Sequence, residues 1–167
     1  MAETIGSSTT GTARQELILT RILGAPRKLV FRAWTDTKHM ARWWGPRGFT
    51  NPVCELDVRL GGRIRIDMRG PDGHIYPMKG IFHEIVESER LVFMSTALED
   101  ENGKALLEIL NTITFEDFNG ITKLGLHARL VTRDFKPTPQ VAAALAGMEQ
   151  GWSESLYRLA DELDKMS

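Results

Sequence analysis

A chain of 167 residues, 42% hydrophobic and 26% charged, is long enough to bury one substantial core and has the composition of an ordinary globular domain. Its 21 basic and 22 acidic residues leave a formal charge of −1, so no global field draws in nucleic acid or an anionic membrane. A single cysteine excludes an intrachain disulfide, and no segment approaches the roughly 20 apolar residues of a membrane span.

Residues 1–14, MAETIGSSTTGTAR, are small and polar with no apolar h-region, which reads as a disordered lead, not a secretory signal. A cytoplasmic location follows, with one folded domain expected over 15–167. Gln15 to Leu23 is a β-compatible run closed by Gly24 and Pro26. Pro26 suits the first turn of a helix in which Val30, Phe31 and Trp34 share a face. Thr35-Asp36-Thr37 offers cap chemistry for a second short helix through His39 to Trp43, which Gly45-Pro46 and Gly48 terminate. Trp43 and Trp44 are adjacent, so one is expected to cap the core and the other to lie near the surface or a cavity mouth.

From Thr50 the apolar period drops toward two. Cys54, Leu56 and Val58 alternate with charged residues, and Ile64, Ile66 and Met68 alternate with Arg63, Arg65, Asp67 and Arg69. Further strands are expected around Lys79 to Glu87, Leu91 to Thr96, Leu107 to Phe115 and Leu124 to Leu130, separated by turn-forming clusters such as Gly70-Pro71-Asp72-Gly73. Six strands after the helices, joined by tight turns, predict an antiparallel meander. Lys136-Pro137-Thr138-Pro139 then opens one long helix, whose apolar stripe carries Val141, Leu145, Met148, Trp152, Leu156, Leu159 and Leu163.

The search for chemistry excludes more than it finds. His39, His74, His83 and His127 have no ligand-like spacing and one cysteine makes no sulfur site, so no metal or other cofactor is expected. Cys54 has no base placeable beside it and reads as a small strand residue. Asn111 sits between Ile109 and Ile113 on the inward phase of a strand, where a buried amide needs a partner. That partner is either structural or a ligand. Ser95, in phase with Leu91 and Phe93, poses a weaker form of the same question.

Three motifs in order, Val30-Phe31-Arg32-Ala33-Trp34-Thr35-Asp36, Ala41-Arg42-Trp43-Trp44-Gly45-Pro46 and Asp57-Val58-Arg59-Leu60-Gly61-Gly62, resemble the SRPBCC (START/birch-pollen-allergen-like) superfamily. Within it the chain is most similar to the branch related to the C-terminal domain of the activator of the heat-shock-protein-90 ATPase. Arg69-Gly70-Pro71-Asp72-Gly73, Glu89-Arg90-Leu91-Val92-Phe93 and Gly151-Trp152 with Leu156 and Leu159 fit the same pattern. The resemblance implies an α+β helix-grip fold, a seven-stranded antiparallel sheet curved around a long C-terminal helix with a cavity between them.

A container for a small apolar or amphipathic ligand is therefore expected, in a stress-related protein. Trp34, Trp43 and Trp44 would shape one wall or mouth. Cys54, Leu56, Ile64, Ile66, Met68 and Phe93 would line it from the first strands of the meander, with Ile109, Ile113, Leu124 and Leu126 from the last ones. Met148 and Trp152 would form the opposing wall and Asn111 would orient one polar group. Two other readings stand beside this one. A cyclase or hydrolase would need an inward acid or base, and a chaperone-associated interaction protein would need an exposed apolar patch. A homodimer is compatible with each.

Overall fold

The computed structural model describes residues 7–10, 15–99, 101–132 and 138–166. Strand β2 (Gln15–Leu23) leads into helices α1 (Arg27–Thr35) and α2 (Thr37–Trp43), which carry the chain across to the far sheet edge. There the meander begins, through β3 (Thr50–Leu56), β4 (Arg63–Arg69), β5 (Ile75–Val86), β6 (Arg90–Glu99), β7 (Ala105–Phe118) and β8 (Ile121–Leu130). Its last strand returns beside β2, so seven antiparallel strands make the expected sheet. An additional edge strand, β1 (Ser7–Thr10), pairs with Gln15–Ile18. It falls within the stretch expected to be a disordered lead, the rest of which lies outside the described residues.

Local chemistry explains the helix pair. Asp36 ends α1, its N–H donating to the Arg32 carbonyl at 2.9 Å. The same residue caps α2, its carboxylate accepting from the Lys38 N–H at 2.9 Å. One residue thus serves both helices and sets the corner between them. Trp43 enters the core fully buried, its indole N–H donating to the Ala33 carbonyl at 2.9 Å, while Trp44 follows at the cavity wall.

The C-terminal element departs from expectation. The single long helix is two, α3 (Pro139–Ala146) and α4 (Met148–Met166), separated at Gly147. Thr138 caps α3 by accepting from the Val141 N–H at 3.2 Å, and Pro139 fills its first turn. The proposed opening at Lys136-Pro137 lies outside the described residues.

The break divides the apolar stripe between two clusters. Leu156, Leu159 and Leu163 join the main core with Leu17, Leu19, Val30, Ile113, Phe115, Leu124 and Leu126. Val141 instead packs with Leu107 and Leu130 in a small separate cluster. Met148 and Trp152, only partly buried, lie between the two.

Candidate functional site

Between those clusters lies a cavity of about 520 Å³, within the size range of small-molecule sites. Strands β4 to β7 supply Met68, Met78, Ser95, Leu107, Ile109 and Asn111 as its floor. Helices α3 and α4 cover it with Leu145, Met148, Trp152 and four small residues, Ala143, Ala144, Gly147 and Gly151. The small residues are the physical reason for the space: they stand where large side chains would otherwise meet the sheet. Trp44, Gly45, Pro46 and Phe49 from the loop between α2 and β3, with Tyr76, complete the wall.

Its polar content is sparse and already organised. Asn111 is 1% exposed. Its amide Nδ2 donates toward Ser95 Oγ at 2.9 Å, the Ile109 carbonyl at 3.2 Å and the Phe93 carbonyl at 3.3 Å. The Ser95 hydroxyl in turn reaches the Ile109 carbonyl at 3.5 Å. Both amide hydrogens are committed to protein oxygens, and no hydrogen bond to Asn111 Oδ1 forms among the described residues. Ser155 spends its hydroxyl on the Gly151 carbonyl at 2.9 Å. Among the described residues lining the cavity none is Asp, Glu, His, Lys or Arg.

The mouth loop is fastened to α4 by a buried-edge arginine. Arg158 Nη1 donates to the carbonyls of Trp44, Gly45 and Pro46 at 2.8–2.9 Å, and Nη2 to that of Arg42 at 3.0 Å. Burial lowers its pKa from the ordinary arginine value. Glu154 accepts from the Arg47 backbone N–H at 3.0 Å, and the Arg47 guanidinium sits 5.2 Å from the centre of the Tyr157 ring. Gly45, at φ +95°, makes the turn; a Cβ there would press on Met68 Sδ at 3.3 Å. Behind the loop, Glu162 Oε2 lies 2.7 Å from His39 Nδ1 and 3.4 Å from Arg42 Nη1, tying α2 to α4.

Six of the residues anticipated from sequence meet at this cavity: Trp44, Met68, Ile109, Asn111, Met148 and Trp152. The other ten do not. Trp34, Trp43, Ile64, Ile66, Phe93, Ile113, Leu124 and Leu126 are buried in the packed core, and Cys54 and Leu56 pack against it. Trp34, Leu56, Ile64, Ile66 and Phe93 border only a void of about 10 Å³ behind Trp44, room for one water at most. The reason is aromatic filling: Trp34 lies 4.7 Å from Trp43, 6.4 Å from Phe115 and 6.1 Å from Trp152, centroid to centroid. Burial, and then the Glu55 charge, push the Cys54 thiol up to about 11.

Sequence reasoning missed the wall contributed by Phe49, Tyr76, Met78, Leu107 and the small residues of α3. The run Ala142-Ala143-Ala144, with Gly147 and Gly151 beyond it, was the available signal. Among the described residues no three His, Cys, Asp or Glu side chains cluster as metal ligands, and no helix is long and apolar enough to cross a membrane.

The architecture recurs in solved structures. A protein from Arthrobacter aurescens superposes with a TM-score of 0.78 at 22% identity, over 95% of this chain and 91% of that one. A Mycobacterium smegmatis protein gives 0.74 at 22% identity, over 99% and 96%. An uncharacterised Rhizobium leguminosarum protein gives 0.73 at 25% identity, over 97% and 99%. No curated protein matches the sequence. Residues 24–164, which span the helix pair, the meander and both cavity-covering helices, match the model of the Activator of Hsp90 ATPase homolog 1-like protein family, of SRPBCC type, and the chain belongs to that family.

Proposed function

We propose that this protein takes up a small, uncharged, mostly apolar molecule with one hydrogen-bond donor, and holds it without transforming it. The observation that carries this reading is the wall itself: an open-mouthed space of about 520 Å³ with no charged side chain among the described residues that line it. A charged guest would lose its hydration and meet no counter-charge, a cost that an apolar guest avoids. Asn111 Oδ1 is the polar anchor, an acceptor suited to a hydroxyl or N–H on the ligand. Trp44, Trp152, Met68, Met78 and Met148 offer flat and adaptable apolar surface.

The same wall speaks against acid–base chemistry. Among its described residues it offers no carboxylate or imidazole, and the hydroxyls of Ser95 and Ser155 are bonded to backbone carbonyls. The charged residues Glu55, Glu84, Glu108 and His83 on the strands, and Asp57 just beyond β3, are not among those lining the cavity.

Quenching of tryptophan fluorescence tests the proposal with three matched probes. Naphthol should bind best, naphthalene less well and naphthoate least. Ala144→Leu, which fills the cavity from α3, should abolish naphthol binding. Preferential binding of naphthoate, or undiminished binding in Ala144→Leu, would overturn the reading.

A further inference from the structure

On the opposite flank of α4, β2 places an arginine where the sheet places leucines. Leu17, Leu19 and Leu23 point into the core, and Arg21, in the same phase, is 6% exposed. Its guanidinium has few partners. Nη1 donates to the Thr20 carbonyl at 3.1 Å and Nη2 to Ser153 Oγ at 3.3 Å, both neutral oxygens at long distance. Five N–H donors are available and two are used. No carboxylate lies within ion-pair reach of Arg21 among the described residues; Glu149 and Tyr157 act on it only through space. A buried cation of this kind ordinarily has a counter-charge.

Beside it is a cleft of about 210 Å³, separate from the main cavity. Arg21, Leu23 and Gly24 bound it on the strand side, and Leu156, Ala160 and Leu163 provide an apolar wall from α4. Ile22, Tyr157 and Asp164 complete the described lining. The volume holds about seven waters at ~30 Å³ each, enough for a carboxylate with a short hydrocarbon tail. Asp164 lies in the same lining, so each negative charge on a guest meets it, which favours a single carboxylate over a dianion.

We propose that this cleft binds a small monocarboxylate, its carboxylate on the Arg21 guanidinium and its tail against Leu156, Ala160 and Leu163. The guest's carboxylate would pair a guanidinium that makes no ion pair among the described residues, and the site is independent of the neutral ligand proposed for the main cavity.

Titration of the isotope-labelled full chain with butyrate at constant ionic strength, followed by proton–nitrogen correlation spectra, tests this directly. Saturable shifts are expected at the Arg21 Nε–H and the amides of Gly24, Tyr157 and Ala160, with the Trp152 indole unmoved. Butanol, the neutral analogue, should produce none. Arg21→Met should weaken butyrate at least tenfold. Ala160→Phe, which fills the cleft and keeps the guanidinium, should do the same and decides the matter if Arg21→Met does not fold. Unsaturable shifts, equal response to butanol, undiminished binding in Ala160→Phe, or tighter binding of inorganic phosphate would each overturn the proposal.

Discussion

Along β7, Ile113 and Phe115 are sealed under the helix pair, whereas Ile109 and Asn111, on the same face of the same strand, border open space. What differs is the layer above them. Phe115 meets the Phe31 ring of α1 at 5.4 Å and the Trp34 ring at 6.4 Å. Ile109 and Asn111 share their cavity with Ala143, Ala144, Gly147 and Gly151. Identical strand chemistry thus produces a core or a cavity according to the side-chain volume opposite it, and Trp152 stands at the boundary, stacked on Trp34 and exposed to the cavity.

The largest test of this contrast is a pair of truncations. Phe115→Ala should cost about 3–5 kcal/mol, the usual loss for a buried aromatic, while Ile109→Ala should cost less than half as much because its site is already partly empty. Urea denaturation measures both, and equal losses would break the contrast. Arg158→Ala comes next. Losing charge-assisted bonds to three carbonyls of the mouth loop should destabilise by about 1–3 kcal/mol and speed release of bound naphthol in stopped-flow measurements.

Further effects sharpen the picture. Asn111→Leu keeps a similar volume but strips the amide from Ser95 Oγ and the Phe93 and Ile109 carbonyls, so it should cost about 1–3 kcal/mol. The preference for naphthol over naphthalene should vanish with it. Cys54 should be the quietest reporter of burial. With its thiol pushed from 9.0 up to about 11, roughly a hundredfold less thiolate exists at pH 8 than for an unperturbed thiol, and alkylation of the native protein should slow accordingly. The folded form holds this proton at pH values where the unfolded chain has lost it. The thiol's contribution to stability is therefore intact below about pH 9 and declines as the pH rises toward about 11. An alkylation rate equal to that of the urea-unfolded chain at pH 8 would contradict the packing described for β3.

Strand order and the inward phase were readable because alternation has a period of two and every turn of the meander except Glu87-Ser88-Glu89 carries glycine, proline or asparagine. Trp43 and Trp44 were expected to separate, one into the core and one toward the surface or a cavity mouth; both are buried with rings 5.7 Å apart, because Trp44 is the extended C-cap of α2, and only Trp44 borders the cavity. The site was less legible. Ile64, Ile66, Phe93, Leu124 and Leu126 share the phase of Ile109, and nothing in their own strands distinguishes a residue facing Trp34 from one facing Ala144. Asn111 stood out because an inward amide must find partners, although whether those partners belonged to the protein could not be read. They prove to be Phe93, Ser95 and Ile109 for its hydrogens. The broken helix was misread because a single glycine leaves the apolar spacing intact across it.

The amino-acid sequence by itself determined the meander, the helix pair hinged on Asp36, the inward face of each strand and the apolar stripe of the last helices, all of them consequences of local periodicity and cap chemistry. Only the tertiary structure decided where that interior fills and where it stays open. Filling depends on the summed volumes of residues far apart in the chain: aromatic rings from α1 and α2 close one half of the sheet, and alanines and glycines of α3 and α4 leave the other half as a cavity.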